Sequence, residues 1–264
     1  MIPRLLLGVL LLEPSVAATR LLVTVVEKKS GRPVTDLRKE DFAVFDDGAP
    51  RRVEAAEFSS SLMDVMLLLD TSLLGEMVQP VADNLIAQLQ PKEQMAIVAF
   101  HSAADLIQDF TSSQELLRRA LGSVKYGNPP RLLDALYAAI DGGFRHSSFR
   151  RVIVLLTTGV EGDSRVSERQ VLRLARRNAV SLYPVYILGH ERSLFERLAQ
   201  QTGGASFSLR EMQRASKDPP GPRIFEVLRS HYTLTLAGNL ALGERLRIEI
   251  KRPERLLVSG LPLD

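Results

Sequence analysis

Four stretches of this chain carry apolar residues that do not alternate with polar ones. Met63-Asp64-Val65-Met66-Leu67-Leu68-Leu69-Asp70 is the first; Gln94–Phe100, Arg151–Gly159 and Val180–Gly189 follow. A strand with one wet face alternates, whereas a strand buried on both faces need not. These runs therefore predict strands of a parallel sheet covered by helices on either side. Between them the period becomes helical. Ser113–Leu121 opens on a capping serine with an acid in its first turn. Leu132–Ile140 stops at Gly142-Gly143, Ser167–Arg177 at Asn178, and Ser193–Thr202 at Gly203-Gly204. Strand and helix in turn at this spacing predict an α/β fold, a doubly wound, Rossmann-like domain with a mostly parallel sheet. Ligands of such folds sit at the carboxyl ends of the strands, which groups Asp70, His101, Thr157, Thr158, Gly189 and His190 on one face.

The flanks read differently. Leu21–Val26, Phe42–Phe45 and Arg51–Phe58 are short strand-like runs, with a turn at Ser30-Gly31-Arg32-Pro33 and a hairpin signal at Asp46-Asp47-Gly48. Residues 211–222, ending Asp218-Pro219-Pro220-Gly221-Pro222, read as a polar, proline-rich loop, and Ile224–Arg229 as a short helix. Tyr232–Leu236, Leu246–Ile250 and Arg255–Val258 return to strand. Each flank is too small to be stable alone, so the two are expected to pair into one β module. The expected division is an export signal over 1–17, a β segment over 18–60, the α/β domain over 61–230 and a second β segment over 231–264. The signal expectation rests on Arg4, the apolar run Leu5–Leu12 and the small residues Ser15-Val16-Ala17-Ala18. A first core strand is the other reading of that run. Read as a signal, it predicts export to the periplasm or the exterior and a soluble mature chain starting near Ala18, with no later segment apolar enough to span a bilayer.

The 264 residues include no cysteine, which excludes disulfides, thiolate metal sites and a cysteine nucleophile. The four histidines are scattered and predict no multi-histidine site. A hydrophobic share of 45% and a charged share of 25% exclude a largely disordered chain. The net charge of +3 falls well short of a chain built to neutralise phosphates. No Gly-x-Ser-x-Gly elbow accompanies His101-Ser102 and the acids Asp105 and Asp109. No Gly-x-Gly-x-x-Gly follows the first buried strand, and there is no Walker A sequence. No enzyme is expected.

Leu69-Asp70-Thr71-Ser72-Leu73-Leu74, Leu133-Asp134-Ala135-Leu136, Val152–Gly159 and the flanking Val34–Gly48 stretch, in this order, resemble the von Willebrand factor type A (VWA) domain. The likeness is strongest to the secreted bacterial VWFA-related families, in which short β segments flank the VWA core. The resemblance implies a non-enzymatic interaction or adhesion module. It also implies a metal-ion-dependent adhesion site at the strand-end face. That site takes an Asp-x-Ser-x-Ser motif, a threonine shortly before the Asp-Ala-Leu helix and an aspartate after the Leu-Leu-Thr strand, all hard oxygen ligands for Mg²⁺. Residue by residue, Asp70 and Ser72 match as a vestige of the metal site. Leu74, Pro130 and Thr158 stand where the second serine, the threonine and the second aspartate belong.

The chain is therefore expected to work without a cofactor. Asp70 is expected to cap the following helix or the Thr71–Leu74 amides. A protein, matrix or polysaccharide partner would meet a face drawn from Thr157, Thr158, Glu161, Asp163, Arg169, Arg173 and Arg176. One alternative is a Mg²⁺ or Mn²⁺ site rebuilt from the loop acids Glu76, Glu161 and Asp163. Another is binding of nucleic acid or another polyanion through Arg169, Arg173 and Arg176, which share a helix face; a solvated helix face accounts for the same spacing. Export and sparse aromatics place nucleic acid last.

Overall fold

The computed structural model describes residues 18–145, 147–238, 242 and 245–263; the expected export signal over 1–17 lies outside them. The strands and helices run β1 (Thr19–Glu27), β2 (Phe42–Asp46), β3 (Ala49–Arg51), β4 (Val53–Ser60), β5 (Met63–Asp70), α1 (Gln79–Ile86), β6 (Gln94–Phe100), β7 (Ala104–Thr111), α2 (Gln114–Gly122), α3 (Leu132–Gly142), β8 (Arg150–Thr157), α4 (Glu168–Arg177), β9 (Val180–Tyr186), α5 (Arg192–Gln200), β10 (Phe207–Ser208), α6 (Leu209–Ala215), α7 (Pro220–Arg229), β11 (Ser230–Leu236), β12 (Leu246–Ile250) and β13 (Leu256–Pro262).

The four non-alternating runs form the centre of a six-stranded sheet ordered β10-β9-β8-β5-β6-β7. β5 pairs in parallel with β6 and β8, and β8 with β9. Every residue of β5 and β9 is buried, which is why their sequences do not alternate. Val65, Leu67 and Leu69 of β5 pack with α1, α2 and α7 on one face. Met66 and Leu68 pack with α3, α4 and α5 on the other. Caps behave as their residues dictate: the Ser113 hydroxyl accepts from Leu116 N, and Ser167 and Gln170 close a reciprocal capping box.

α1, α6 and β7 were silent in the sequence, and α7 was read only from Ile224 onward. α1 and α7 both carry proline in their first turn, where its missing N–H costs nothing. The expected loop over 211–222 is thereby corrected: α6 reaches Ala215, capped by Ser208, and α7 begins at Pro220. β7 is the antiparallel edge of the sheet. It is half exposed and its register with β6 is irregular, so no clean period marks it.

The flanking strands form two antiparallel sheets, β13-β1-β11-β4 and β12-β2-β3. Asp47 and Gly48, both at positive φ, make the two-residue turn between β2 and β3. The sheets enclose a core of Leu21, Val23, Val25, Phe42, Val44 and Tyr232. The alternate residues of β1 point the other way. Val26 joins the α/β core, and the Thr24 hydroxyl donates to Gly203 O at 2.8 Å. The Ser259 hydroxyl on β13 donates to Gly204 O at 2.6 Å. Gly203 has φ +71, and a Cβ there would lie 2.9 Å from Leu261 Cβ, so the close approach of β13 requires glycine. β1 is thus buried on both faces like the core strands, between a small sheet and the α/β domain.

His231 on β11 is buried, with Nε2 3.0 Å from the Ser59 hydroxyl on β4 and Nδ1 3.3 Å from Arg229 O. Burial, then the Arg150 guanidinium, pushes its pKa down to about 4. Unfolded, a histidine protonates near pH 6.5. This contribution is therefore fully present above pH 6.5 and is lost as pH falls from 6.5 towards 4, where only the unfolded chain takes the proton. Denaturant titrations of the parent chain should lose about 2 kcal/mol between pH 7 and pH 5 that a His231→Gln variant does not lose.

Candidate functional site

Asp70 ends β5 with no exposed surface. Oδ1 accepts the Ser72 N–H at 2.9 Å. Oδ2 accepts the Thr157 hydroxyl at 2.9 Å, the Thr158 N–H at 2.9 Å and the Thr158 hydroxyl at 2.8 Å. The Thr157 oxygen in turn accepts the Gly159 N–H at 3.1 Å. Four donors from two chain segments thus converge on one carboxyl group, as a buried carboxyl requires. Thr157 and Thr158, expected on a partner face, lie buried beneath it because their hydroxyls turn inward to Asp70. The expectation that Asp70 caps the Thr71–Leu74 amides holds for Ser72 alone.

The loops around this knot are closed onto one another. Thr71 donates through both its N–H and its hydroxyl to Phe100 O, and Gly127 N–H donates to Thr71 O. Gly75 packs so tightly that a Cβ would stand 2.4 Å from Asp70 O and 2.9 Å from the Tyr126 ring. The 130–132 and 159–163 loops are joined by a bridge between Arg131 and Gly162 and by Leu132 N–H donating to Glu161 O. Gly162 (φ +80) has no room for a Cβ beside Pro130 O. Asp134 stabilises the same loop, accepting the Arg165 and Val166 N–H groups at 2.8 Å each. The Ser164 hydroxyl accepts from Leu133 N, so α3 is capped from across the face.

The segment after Asp70 exposes apolar side chains: Leu73, Leu74 and Met77 are 76%, 53% and 54% exposed, and Val160, shortly after Thr158, is exposed as well. Glu76 and Asp163 point to solvent. One Glu161 carboxyl oxygen and the Tyr126 hydroxyl are buried without a hydrogen-bond partner. Burial, then Glu76 and Asp70, holds the Tyr126 phenol above its ordinary pKa. Tyr126, Leu73, Met77 and Val160 were not singled out in the sequence. Only the run Leu73-Leu74, two apolar residues where a loop follows an acid, was a signal.

The sequence grouped other residues that the structure keeps apart. His101 Nδ1 is engaged with Ser102, its hydroxyl at 3.0 Å, and Asp109 accepts the Phe110 N–H, so no Ser–His–Asp relay forms from them. Arg169, Arg173 and Arg176 do line one groove beside α4. Arg176 is committed to packing, donating to Gln201 O and Oε1 at 3.1 Å each, and all three have partners.

A hard divalent ion needs about six oxygens in octahedral array. Here both Asp70 oxygens already accept hydrogen bonds, the Thr158 hydroxyl is spent on one of them, and Leu74 and Pro130 offer no side-chain oxygen. Among the described residues no group of three or more His, Asp or Glu side chains comes together.

A doubly wound sheet with one antiparallel edge, and an aspartate closing its first core strand, define the class as a doubly wound α/β domain with its site at the strand ends. The family model for the von Willebrand factor type A domain matches residues 64–218, more than half of the chain, and the chain belongs to that family. VWA domains are generally non-enzymatic modules that mediate protein interactions. Among solved structures, the chain is similar to proximal thread matrix protein 1 from the mussel byssus, with a TM-score of 0.54 and 14% identity over 67% of this chain and 49% of that one. A form of the mussel protein with a zinc-occupied MIDAS motif matches with a TM-score of 0.54 and 13% identity, covering 73% of this chain and 50% of that one. The VWA domain of SpRpn10 matches with a TM-score of 0.45 and 14% identity, over 63% of this chain and 93% of that one. The chain thus spans about half the length of the mussel protein. No curated protein matches it. No helix of the described residues is long and apolar enough to cross a membrane.

Asp70→Ala leaves four donors without their acceptor. It should destabilise the fold by about 3–5 kcal/mol in denaturant unfolding. Leu74→Ala, at an exposed position, should change stability by no more than about 0.5 kcal/mol.

Proposed function

We propose that this chain is a metal-independent protein-binding module that engages its partner through the strand-end face. The observation that carries the reading is the capping of Asp70 by Ser72, Thr157 and Thr158, where a metal site would need open oxygens. The exposed Leu73, Leu74, Met77 and Val160 supply what replaces the ion. In a metal-dependent site the cation attracts a partner's carboxylate; here apolar contact would supply the attraction. The reading assigns no catalytic role. It keeps the chain outside the cytoplasm on the strength of the Arg4, Leu5–Leu12 and Ala17-Ala18 pattern.

The test is calorimetric titration of Mg²⁺ and Mn²⁺ into metal-stripped protein, beside a Leu74→Ser, Pro130→Thr, Thr158→Asp variant. The natural chain should take up neither ion in the micromolar range, and the variant, with the oxygens restored, should bind. Micromolar binding by the natural chain overturns the reading and moves Glu76, Glu161 and Asp163 to the front as ligands.

A further inference from the structure

At the other end of β5 from Asp70, the sheet face beside α3 is left uncovered towards the edge strand β7. The resulting groove has a volume of about 460 Å³, within the range of small-molecule sites. β6 contributes Ala96 and Val98, β7 Leu106 and Phe110, and the end of α3 Ala139 and Gly142. Small side chains on the strand and the helix keep it open; a Cβ at Gly142 would meet nothing within 4 Å.

Asp64 lines the inner end of this groove and is only 3% exposed. Its Oδ2 accepts three neutral donors: the Ser147 hydroxyl at 2.7 Å, Ser148 N at 3.1 Å and Phe149 N at 3.2 Å. Among the described residues nothing donates to Oδ1, and no cation pairs with the group. Asp109 lines the groove as a second acid; Arg145, the cation of the lining, is exposed. A mostly buried carboxyl whose second oxygen takes no hydrogen bond from the described residues and opens to an apolar groove is complementary to a cationic head on an apolar body.

We infer that this groove binds a small primary amine with an alkyl or aryl tail, the ammonium donating to Asp64 Oδ1 and the tail lying along Ala96, Val98 and Leu106. The site lies away from the strand-end face and does not depend on how that face works.

The test uses hexylammonium, hexanol and hexanoate as probes of one shape and three charges. Binding is followed by amide chemical shifts and calorimetry at neutral pH, with sedimentation equilibrium in parallel. Hexylammonium should bind at least about tenfold more tightly than hexanol, with shifts centred on residues 94–98, and hexanoate more weakly still. Asp64→Asn, which keeps an acceptor for Ser147–Phe149, should bring hexylammonium down to the level of hexanol. Leu106→Lys, at an exposed position that folding tolerates, removes tail contact for both probes but adds a charge that repels only the ammonium, so it should weaken hexylammonium more than hexanol, and it decides the matter if Asp64→Asn fails to fold. The inference is overturned by equal binding of the amine and the alcohol or by preference for hexanoate. Shifts remote from β6, no binding of any probe, or self-association that covers the groove would overturn it equally.

Discussion

A carboxyl group cut off from water must be given its hydrogen bonds by the protein, and at Asp70 that requirement organises the whole strand-end face. Its four donors come from the segment after β5 and from the end of β8. To deliver them, the β5 loop must turn back tightly at Gly75, and the β8 segment must leave the sheet through Gly159 at φ +106. The loops that follow are then locked to each other at Arg131–Gly162 and through Asp134 and Ser164. In the family's metal-binding form an ion would draw these segments together. Here threonine hydroxyls and backbone N–H groups draw the same segments onto Asp70. Polar groups face inward, and Leu73, Leu74 and Met77 are left on the outside.

The flanking sheets meet a different demand. Two small sheets cannot bury enough surface to stand alone. They gain stability through β1, whose odd-numbered residues from Leu21 to Val25 fill the core between the two sheets and whose even-numbered neighbours face the α/β domain. Hydroxyls of Thr24 and Ser259 reach the backbone at Gly203 and Gly204, so the seam is hydrogen-bonded as well as apolar.

What was legible in the sequence follows from how strongly one force dominated each segment. The central strands were plain because burial on both faces removes every polar residue but those at their ends. The caps at Ser113 and Ser167 were plain because cap chemistry is local. α7 was read as a helix from Ile224, but its start at Pro220 was taken for loop, because proline signals both loop and helix start and only the packing of the helix decides between them. β7 was missed because an edge strand answers to solvent on one side. At the site, the lack of a side-chain oxygen at Leu74 and Pro130, and of a carboxylate at Thr158, was readable by position. The inward turn of Thr157 and Thr158 was not, because it depends on where β8 places them relative to Asp70.

The pairing of β1 has a consequence for how the chain acquires its structure. Its hydrogen-bonding neighbours, β11 and β13, come from the far end of the sequence, as in Thr19 opposite Leu236 and Val25 opposite Val258. During synthesis from the amino end, β1 is made well before β11 and β13 and must wait for both. Contacts so distant in sequence close slowly. Until they do, Leu21–Val26 presents two bare edges and two apolar faces, the form of segment most prone to pair with another chain. The order in which the strands are made, and not only their final arrangement, thus makes β11 and β13 the guardians of β1.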